Sequence, residues 1–230
     1  MDKLTKDIGK FMCSHGVPTT TFEDYVKYVN SGVYPITSGG ISPTILEERK
    51  LNAVAIDIFS RLMYERIMFL GTVIDDEVSN IIVSQLLYLD SVDKTDIQMY
   101  INSPGGSVQA GYACYDIMQS IQSDVSTLCL GTAASMAAVL LAAGANGKRM
   151  IIPHGKVMIH QPLGGVCGQA SDIEIHSKEI MKTKKALYTT LSKHTGKAYD
   201  EIVKDADRDF WMDAEEAIEY GIVDKVIGVK

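Results

Sequence analysis

Cysteine is scarce in this 230-residue chain, and none of its four cysteines stands in a C-x-x-C pair. No histidine lies at a spacing from them that would complete a zinc site, so no metal is expected. Three of the four occur in apolar or Gly-rich stretches, which favours reduced thiols over disulfides. The pattern argues against a disulfide-stapled secreted domain. The four are Cys13, Cys114, Cys129 and Cys167.

Positive charge is also in short supply. The chain has 22 Lys and Arg against 29 Asp and Glu, which gives a formal net charge of -7. A nucleic-acid surface needs clustered basic side chains, so that class of partner is not expected. The first 40 residues contain no apolar run followed by a small-residue cleavage site, so no secretory signal is predicted. They also lack an Arg-rich and Ser-rich transit segment, which favours a bacterial cytoplasm over an organelle.

Charge is missing altogether from Val125 to Gly147, a stretch long enough to span a bilayer at roughly 20 residues. The stretch is rich in Ala, Gly, Ser and Thr, and its first six residues have the pattern of a buried strand. A Gly-Thr turn and a helix are predicted to follow. We therefore expect a buried strand, turn and helix here and no membrane partner.

The remaining chain alternates between strand-like and helix-like segments, which predicts an α/β fold with a largely parallel sheet. Residues 1–44, rich in Gly, Pro, Ser and Thr, are predicted to be a mobile extension or propeptide, and 45–230 the folded domain. The tail from Glu201 to Val229 is predicted as helix, helix and short strand. Predicted strands are Arg66–Leu70, Asp96–Ile101, Val125–Leu130 and Lys156–His160. Predicted helices are Ile56–Tyr64, Asp76–Leu89, Val108–Ile121, Ser135–Ala143 and Ser171–His194, the last stopped by Gly196.

Three short segments could carry chemistry, and each also has an ordinary structural explanation. Ser135 stands among small residues at a strand-to-helix junction, where free N–H groups could stabilise an oxyanion, or where it could simply cap the helix. Ser103 to Gly106 could expose a backbone N–H to a ligand or form a tight turn. His160, at a strand end, could face a ligand crevice or be structural. Spacing alone identifies no carboxylate to complete a triad.

Taken together, these segments resemble the ClpP family of serine peptidases. The resemblance covers residues from about 56 to the C-terminus and rests on three ordered motifs. They are Tyr100 to Gly106 (YINSPGG), Gly131 to Met136 (GTAASM) and Met158 to Gly165 (MIHQPLGG). It implies a ClpP/crotonase-like α/β fold built from repeated βα (ββα) units, with a protruding handle helix.

The resemblance also implies roles for individual residues. Ser135 is the implied nucleophile, His160 the general base and Asp209 the group that orients the imidazole. Gly106 and Met136 are the implied oxyanion donors. No cofactor is implied on this chain.

Family likeness further implies two stacked seven-membered rings enclosing the active sites. A hexameric AAA+ unfoldase would use ATP to thread unfolded polypeptide into the chamber. The long helix after residue 170 matches the family's handle between rings, and Arg208 matches a position that pairs across that junction.

The docking surface departs from the family pattern. Gln98 and Ser120 stand where the family more often has aromatic residues that receive an apolar loop of the unfoldase. The stretch from Arg49 to Ala55 also lacks the usual Gly-Glu-Arg-Ser pattern. We expect weakened or altered docking, compensated by a second, different peptidase subunit in a mixed assembly.

Two alternatives to an active peptidase stay open at this point. One is an acyl-CoA hydratase or isomerase of the crotonase type, which also uses backbone N–H groups as an oxyanion hole. The other is a catalytically silent ring subunit that assembles with an active paralogue.

Overall fold

The computed structural model describes the backbone of residues 36–37, 40–41, 44–49 and 52–55 and the complete residues 56–228. It divides into two compact units, Met1–Glu65 and Arg66–Lys230. The predicted extension, residues 1–44, lies mostly outside the described residues, so its mobility and its boundary stay predictions.

The described residues of the first unit form two short antiparallel strand pairs and one helix. Strand β1 pairs with β2, and β3 pairs with β4. Helix α1 begins two residues later than predicted because the chain is still in β4 at Ile56, and Asp57 then caps the helix by accepting from Ser60 N–H at 3.0 Å. Neither strand pair was predicted. The pairing of β3 with β4 includes the described residues of the stretch from Arg49 to Ala55 that departs from the family pattern. The elements are β1 (Ile36–Thr37), β2 (Gly40–Ile41), β3 (Thr44–Arg49), β4 (Asn52–Asp57) and α1 (Ile58–Tyr64).

The second unit is built on a seven-stranded sheet in which every strand pair but one is parallel. The main path runs β10-β9-β7-β6-β5, while β8 pairs with both β7 and β11. Only β10 runs antiparallel to its neighbour, β9. The strands are β5 (Ile67–Leu70), β6 (Ile97–Ser103), β7 (Val125–Ala134), β8 (Arg149–Ile151), β9 (Lys156–Ile159), β10 (Phe210–Met212) and β11 (Lys225–Val226).

Six helices of the second unit connect these strands, and the predicted α/β class is confirmed. Helix α4 is buried along its whole length, which explains the uncharged stretch as core. Among the described residues, no helix is both long enough and apolar enough to cross a bilayer. The helices are α2 (Asp76–Val92), α3 (Val108–Ser120), α4 (Met136–Ala142), α5 (Ala170–Thr195), α6 (Tyr199–Asp205) and α7 (Ala214–Tyr220).

Strand β7 does not end where the sequence predicted. It continues through the expected Gly-Thr turn as far as Ala134, so the turn prediction is wrong. The reason is tertiary: Asn102 Oδ1 accepts from Thr132 N–H at 3.0 Å, and the second half of β7 pairs with β9 after the first half has paired with β8. The additional residues of β7 bring the chain directly to Ser135.

The tail also differs from its prediction, because β10 separates α6 from α7. Strands β8 and β10 were both missed; each has three residues and depends on a neighbouring strand for its hydrogen bonds. Helix α5 ends before Gly196, as predicted. Its first half is exposed, and its buried residues are Leu187, Tyr188 and Leu191.

Candidate active site

Three strands of the sheet bring the candidate catalytic side chains to one edge. Parallel strands β7 and β9 both end there, followed by Ser135 and His160, and antiparallel β10 begins there, preceded by Asp209. In the register, Ala134 lies opposite Met158, and Ile159 lies opposite Phe210. Each candidate therefore stands one residue beyond a paired position.

The three side chains form a continuous hydrogen-bonded chain. Ser135 Oγ lies 2.9 Å from His160 Nε2, and His160 Nδ1 lies 2.9 Å from Asp209 Oδ1. A carboxylate accepts only, so Nδ1 of a neutral imidazole carries the proton and Nε2 accepts from the serine hydroxyl. The imidazole is held in the tautomer that can take a proton from Ser135.

Ser135 has a backbone conformation that few non-glycine residues adopt, with φ 55° and ψ -123°. Such a conformation costs about 1–3 kcal/mol. It is held by the Ser135 N–H, which donates to the Met158 carbonyl at 2.8 Å. Although Ser135 occupies the N-cap position of α4, its side chain makes no capping hydrogen bond. The capping explanation is therefore wrong, and the hydroxyl is directed to His160 instead.

The Ser103 to Gly106 turn packs directly against Ser135. A Cβ on Gly105 would lie 2.5 Å from the Ala134 carbonyl oxygen and 2.9 Å from Met136 N, so only glycine allows this approach. The turn is anchored by Ser103 Oγ, which accepts from Gly105 N–H at 3.1 Å. Within the described residues, the N–H groups of Gly106 and Met136 donate to no backbone carbonyl. Gly106 and Met136 line the same cavity as Ser135, so both N–H groups are available as donors there.

A cavity of about 240 Å³ opens beside Ser135 and His160. Its walls are mostly apolar and come from four elements and the loops after β6 and β9. Two leucines of α5, one helical turn apart, reach this cavity and were missed at the sequence level, although their i, i+4 spacing in a charged helix is a signal. The apolar lining includes Val108, Met136, Val139, Ile159, Leu163, Leu187 and Leu191.

Three other residues singled out from the sequence take no part in this hydrogen-bonded chain. Arg208 is exposed next to Asp209. Gln98 lies near the start of β6, at the opposite end of the strand from Ser103, and accepts from the Tyr100 hydroxyl at 3.3 Å. Ser120 is exposed at the end of α3 and donates to the Ile117 carbonyl.

Cysteines in the described residues have no disulfide partner: Cys114 and Cys129 are buried and Cys167 is exposed. This confirms the predicted free thiols for these three, while Cys13 lies outside the described part. Burial raises the pKa of Cys129 to about 11. Within the part of the chain that the structure describes, no group of three or more His, Cys, Asp or Glu side chains could hold a metal ion.

Known proteins resemble this chain over nearly its full length. A protein of Porphyromonas gingivalis (strain W83) named ATP-dependent Clp protease proteolytic subunit is 56% identical over 220 residues, which cover 95% of this chain and 96% of that protein. Proteins of the same name from Bacteroides fragilis (strain YCH46) and Bacteroides thetaiotaomicron are each 54% identical over 223 residues, 96% of this chain and 98% of theirs. The sequence model of the Clp protease family matches residues 50–230, and the chain therefore belongs to the Clp protease family.

Proposed function

We propose that this chain is the proteolytic subunit of an ATP-dependent Clp protease, with Ser135 as the nucleophile of a serine endopeptidase. The observation that carries the proposal is the contact of Ser135 Oγ with His160 Nε2 at 2.9 Å, continued from Nδ1 to Asp209. Hydrogen-bond reach between a hydroxyl, a base and an orienting group is the geometry that serine catalysis needs. The acyl-CoA alternative is set aside, because it belongs to another family and has no use for a hydroxyl activated in this way.

The reaction follows from the proton positions. His160 Nε2 takes the Ser135 proton as Oγ attacks the peptide carbonyl, and the Asp209 carboxylate stabilises the imidazolium that forms. We assign to Gly106 and Met136, whose N–H groups donate to no backbone carbonyl among the described residues, the role of stabilising the negative oxygen of the tetrahedral intermediate. His160 then donates the proton to the leaving amine. Water, deprotonated by the same imidazole, hydrolyses the acyl-enzyme.

The apolar cavity beside Ser135 favours a substrate with a large apolar side chain before the scissile bond. Its volume of about 240 Å³ is sufficient for one leucine-sized or aromatic side chain. A charged side chain there would lose its hydration without gaining a partner. We infer a preference for large apolar residues at this position. We also propose that the hydrolysis itself needs no metal or nucleotide.

We infer that the chain works in an oligomer with a Clp ATPase. The relatives are named subunits of an ATP-dependent protease. This sequence has neither a G-x-x-x-x-G-K-[ST] nor a G-x-G-x-x-G motif for binding phosphates, so a separate component has to use the ATP. We propose two stacked heptameric rings in a bacterial cytoplasm, formed by this chain alone or with a paralogous subunit. A hexameric AAA+ unfoldase delivers unfolded polypeptide to them.

Substitution of the nucleophile tests the peptidase. Ser135→Ala is expected to lower kcat on a small fluorogenic peptide by on the order of 10⁴-fold or more, because no other group replaces the attacking oxygen. A serine-directed fluorophosphonate should label the wild-type protein at Ser135 and miss the variant. Ser91→Ala, which changes an exposed serine at the end of α2, is the matched control. Equal peptidase rates for wild type and Ser135→Ala would leave the silent ring subunit as the better description.

Polar residues at 98 and 120 are expected to weaken docking of the unfoldase. Aromatic side chains would add apolar area, so the double variant Gln98→Tyr/Ser120→Phe should bind a Clp unfoldase at least about tenfold more tightly than wild type. Binding is measured with the assembled homo-oligomer. Ser84→Phe, an equivalent change on the exposed face of α2, should bind as wild type does. Ordinary affinity in the wild-type homo-oligomer would refute the docking hypothesis.

A further inference from the structure

The orienting carboxylate of the site is not held by burial. The Asp209 side chain is 61% exposed, and its one hydrogen-bond partner among the described residues is His160. An exposed carboxylate can rotate among several rotamers and can hydrogen-bond to water in place of His160. Its position therefore depends on how firmly the backbone of Asp209 is held. On its C-terminal side that backbone is held by the antiparallel pairing of β10 with β9.

A second restraint acts on the N-terminal side of Asp209 and comes from a glutamine that the catalytic mechanism does not use. Gln161, the residue after His160, donates from Nε2 to the Asp207 carbonyl at 2.8 Å. Its Oε1 accepts from Lys184 Nζ of α5 at 2.9 Å. Both ends of the amide are therefore satisfied, and the amide orientation is determined because only Oε1 can accept from the ammonium group.

Helix α5 contacts the same loop through a tyrosine one turn further along. Tyr188 is fully buried, and its hydroxyl donates to the Ala206 carbonyl at 3.2 Å. Lys184 Nζ lies 5.5 Å from the centre of the Tyr188 ring, within cation–π range. Lys184 is thus itself held in place at the point where α5 passes from its exposed half to its buried half.

We propose that Gln161 and Lys184 are positioning residues for Asp209. They tie the backbone two residues before Asp209 to the strand end that carries His160, so that the exposed carboxylate meets Nδ1 without being buried. The proposal rests on the triad roles proposed above. Neither residue touches the substrate carbonyl or the reacting atoms, so their loss should change kcat and leave KM nearly unchanged.

The first test removes the donor. Lys184→Met keeps the length of the side chain and removes the ammonium group, and it is expected to lower kcat on a fluorogenic peptide by about tenfold, with KM within about twofold of wild type. Lys184→Arg keeps a donor and should recover most of the activity. Lys182→Met is the matched control, because Lys182 is exposed and its ion-pair partner within the described part of the chain is Glu179 of the same helix.

The second test asks whether the effect passes through Asp209. In an Asp209→Ala background the link has no carboxylate to position, so adding Lys184→Met or Gln161→Met should cause no further loss. The rate of fluorophosphonate labelling at Ser135 provides a second readout for these slow variants. Sedimentation of every variant shows whether it is assembled, and Gln161→Met, which lies outside α5, decides the outcome if Lys184→Met does not assemble.

The outcomes separate this proposal from the proposed function. Wild-type kcat in both Lys184→Met and Gln161→Met, or an equal loss in the Asp209→Ala background, would overturn the positioning role. A rise in KM at constant kcat would overturn it too. Failure of the proposed function has a different signature: Asp209→Ala and Ser135→Ala would then hydrolyse the peptide at the wild-type rate.

Discussion

At the scale of single residues, Gly105 determines how closely two turns can approach. It has φ 88°, and an added Cβ would lie 2.8 Å from Ser135 Cβ as well as against the backbone on both sides of that serine. The turn that supplies the Gly106 N–H can therefore lie beside the hydroxyl only if residue 105 has no side chain. The constraint links a glycine motif to catalytic geometry.

Gly105→Ala should consequently lower peptidase activity by more than its loss of folding stability can explain. The clash shifts the donors or the nucleophile by a fraction of an ångström to an ångström, and kcat/KM is expected to fall by about 100-fold. Gly147→Ala is the matched control, since Gly147 has φ 79° with open space around its Cβ position and costs only the backbone strain of about 1–2 kcal/mol. The measurements are peptide hydrolysis and thermal unfolding. Equal losses of activity in the two variants would contradict the steric argument.

At the scale of elements, α5 has two dissimilar halves. Its C-terminal half packs through Leu187 and Leu191, which also reach the cavity beside Ser135. Its N-terminal half leaves Ile173, Ile175 and Met181 between 40% and 64% exposed. Apolar side chains of this size on a helix otherwise rich in Lys and Glu indicate a surface that is covered in an assembly.

Ile175→Glu is expected to weaken the proposed contact between stacked rings, because a charge replaces a side chain whose burial contributes about 1.5–3 kcal/mol per copy. Sedimentation should show a species of half the wild-type mass. Ser177→Glu adds the same charge two residues away on the exposed helix and should sediment as wild type does. An unchanged mass in Ile175→Glu would remove this half of α5 from the ring junction.

At the scale of the whole molecule, His194 couples folding to pH. Burial, together with the positive charges of Lys193 and Arg149, lowers the pKa of His194 to about 4. The hydroxyl oxygen of Tyr115 lies 2.9 Å from His194 Nε2, and the same oxygen accepts from Lys193 Nζ at 3.4 Å. The Tyr115 hydroxyl can donate its proton to Nε2 of a neutral imidazole while its oxygen accepts from Lys193. The site therefore disfavours protonation.

The unfolded chain binds this proton near pH 6.5 and the folded chain only near pH 4. Between these values the unfolded state holds more protons, so stability falls as the pH falls, by up to about 1.4 kcal/mol per pH unit for this one group. His194→Gln should flatten the dependence between pH 7 and pH 5, as measured by urea unfolding at constant protein concentration. His154→Gln, at an exposed turn, is the control. The same slope in His194→Gln and wild type would refute the assignment.

Much of this molecule could be predicted from local patterns. The helices from α2 to α5 were predicted to within a few residues, because the spacing of apolar side chains records which face is buried. The strand pairing of the first unit was missed. In the second unit the misses were β8, β10 and the second half of β7, whose residues become strands only by pairing with a partner distant in the chain. Gln161 and Lys184 gave no local signal for the same reason, since their contacts join separate elements.

Sequence by itself determined the α/β class, the free thiols of the described cysteines and, through three ordered motifs, the family. Only the tertiary structure decided that Ser135 is no helix cap, that His160 and Asp209 meet it in one hydrogen-bonded chain, and that α5 reaches both the cavity and the Asp209 loop. The physical reason is the distance along the chain over which each effect acts. Periodicity and turn chemistry act over a few residues, whereas a catalytic site is assembled where strands from distant parts of the chain end at one edge of a sheet.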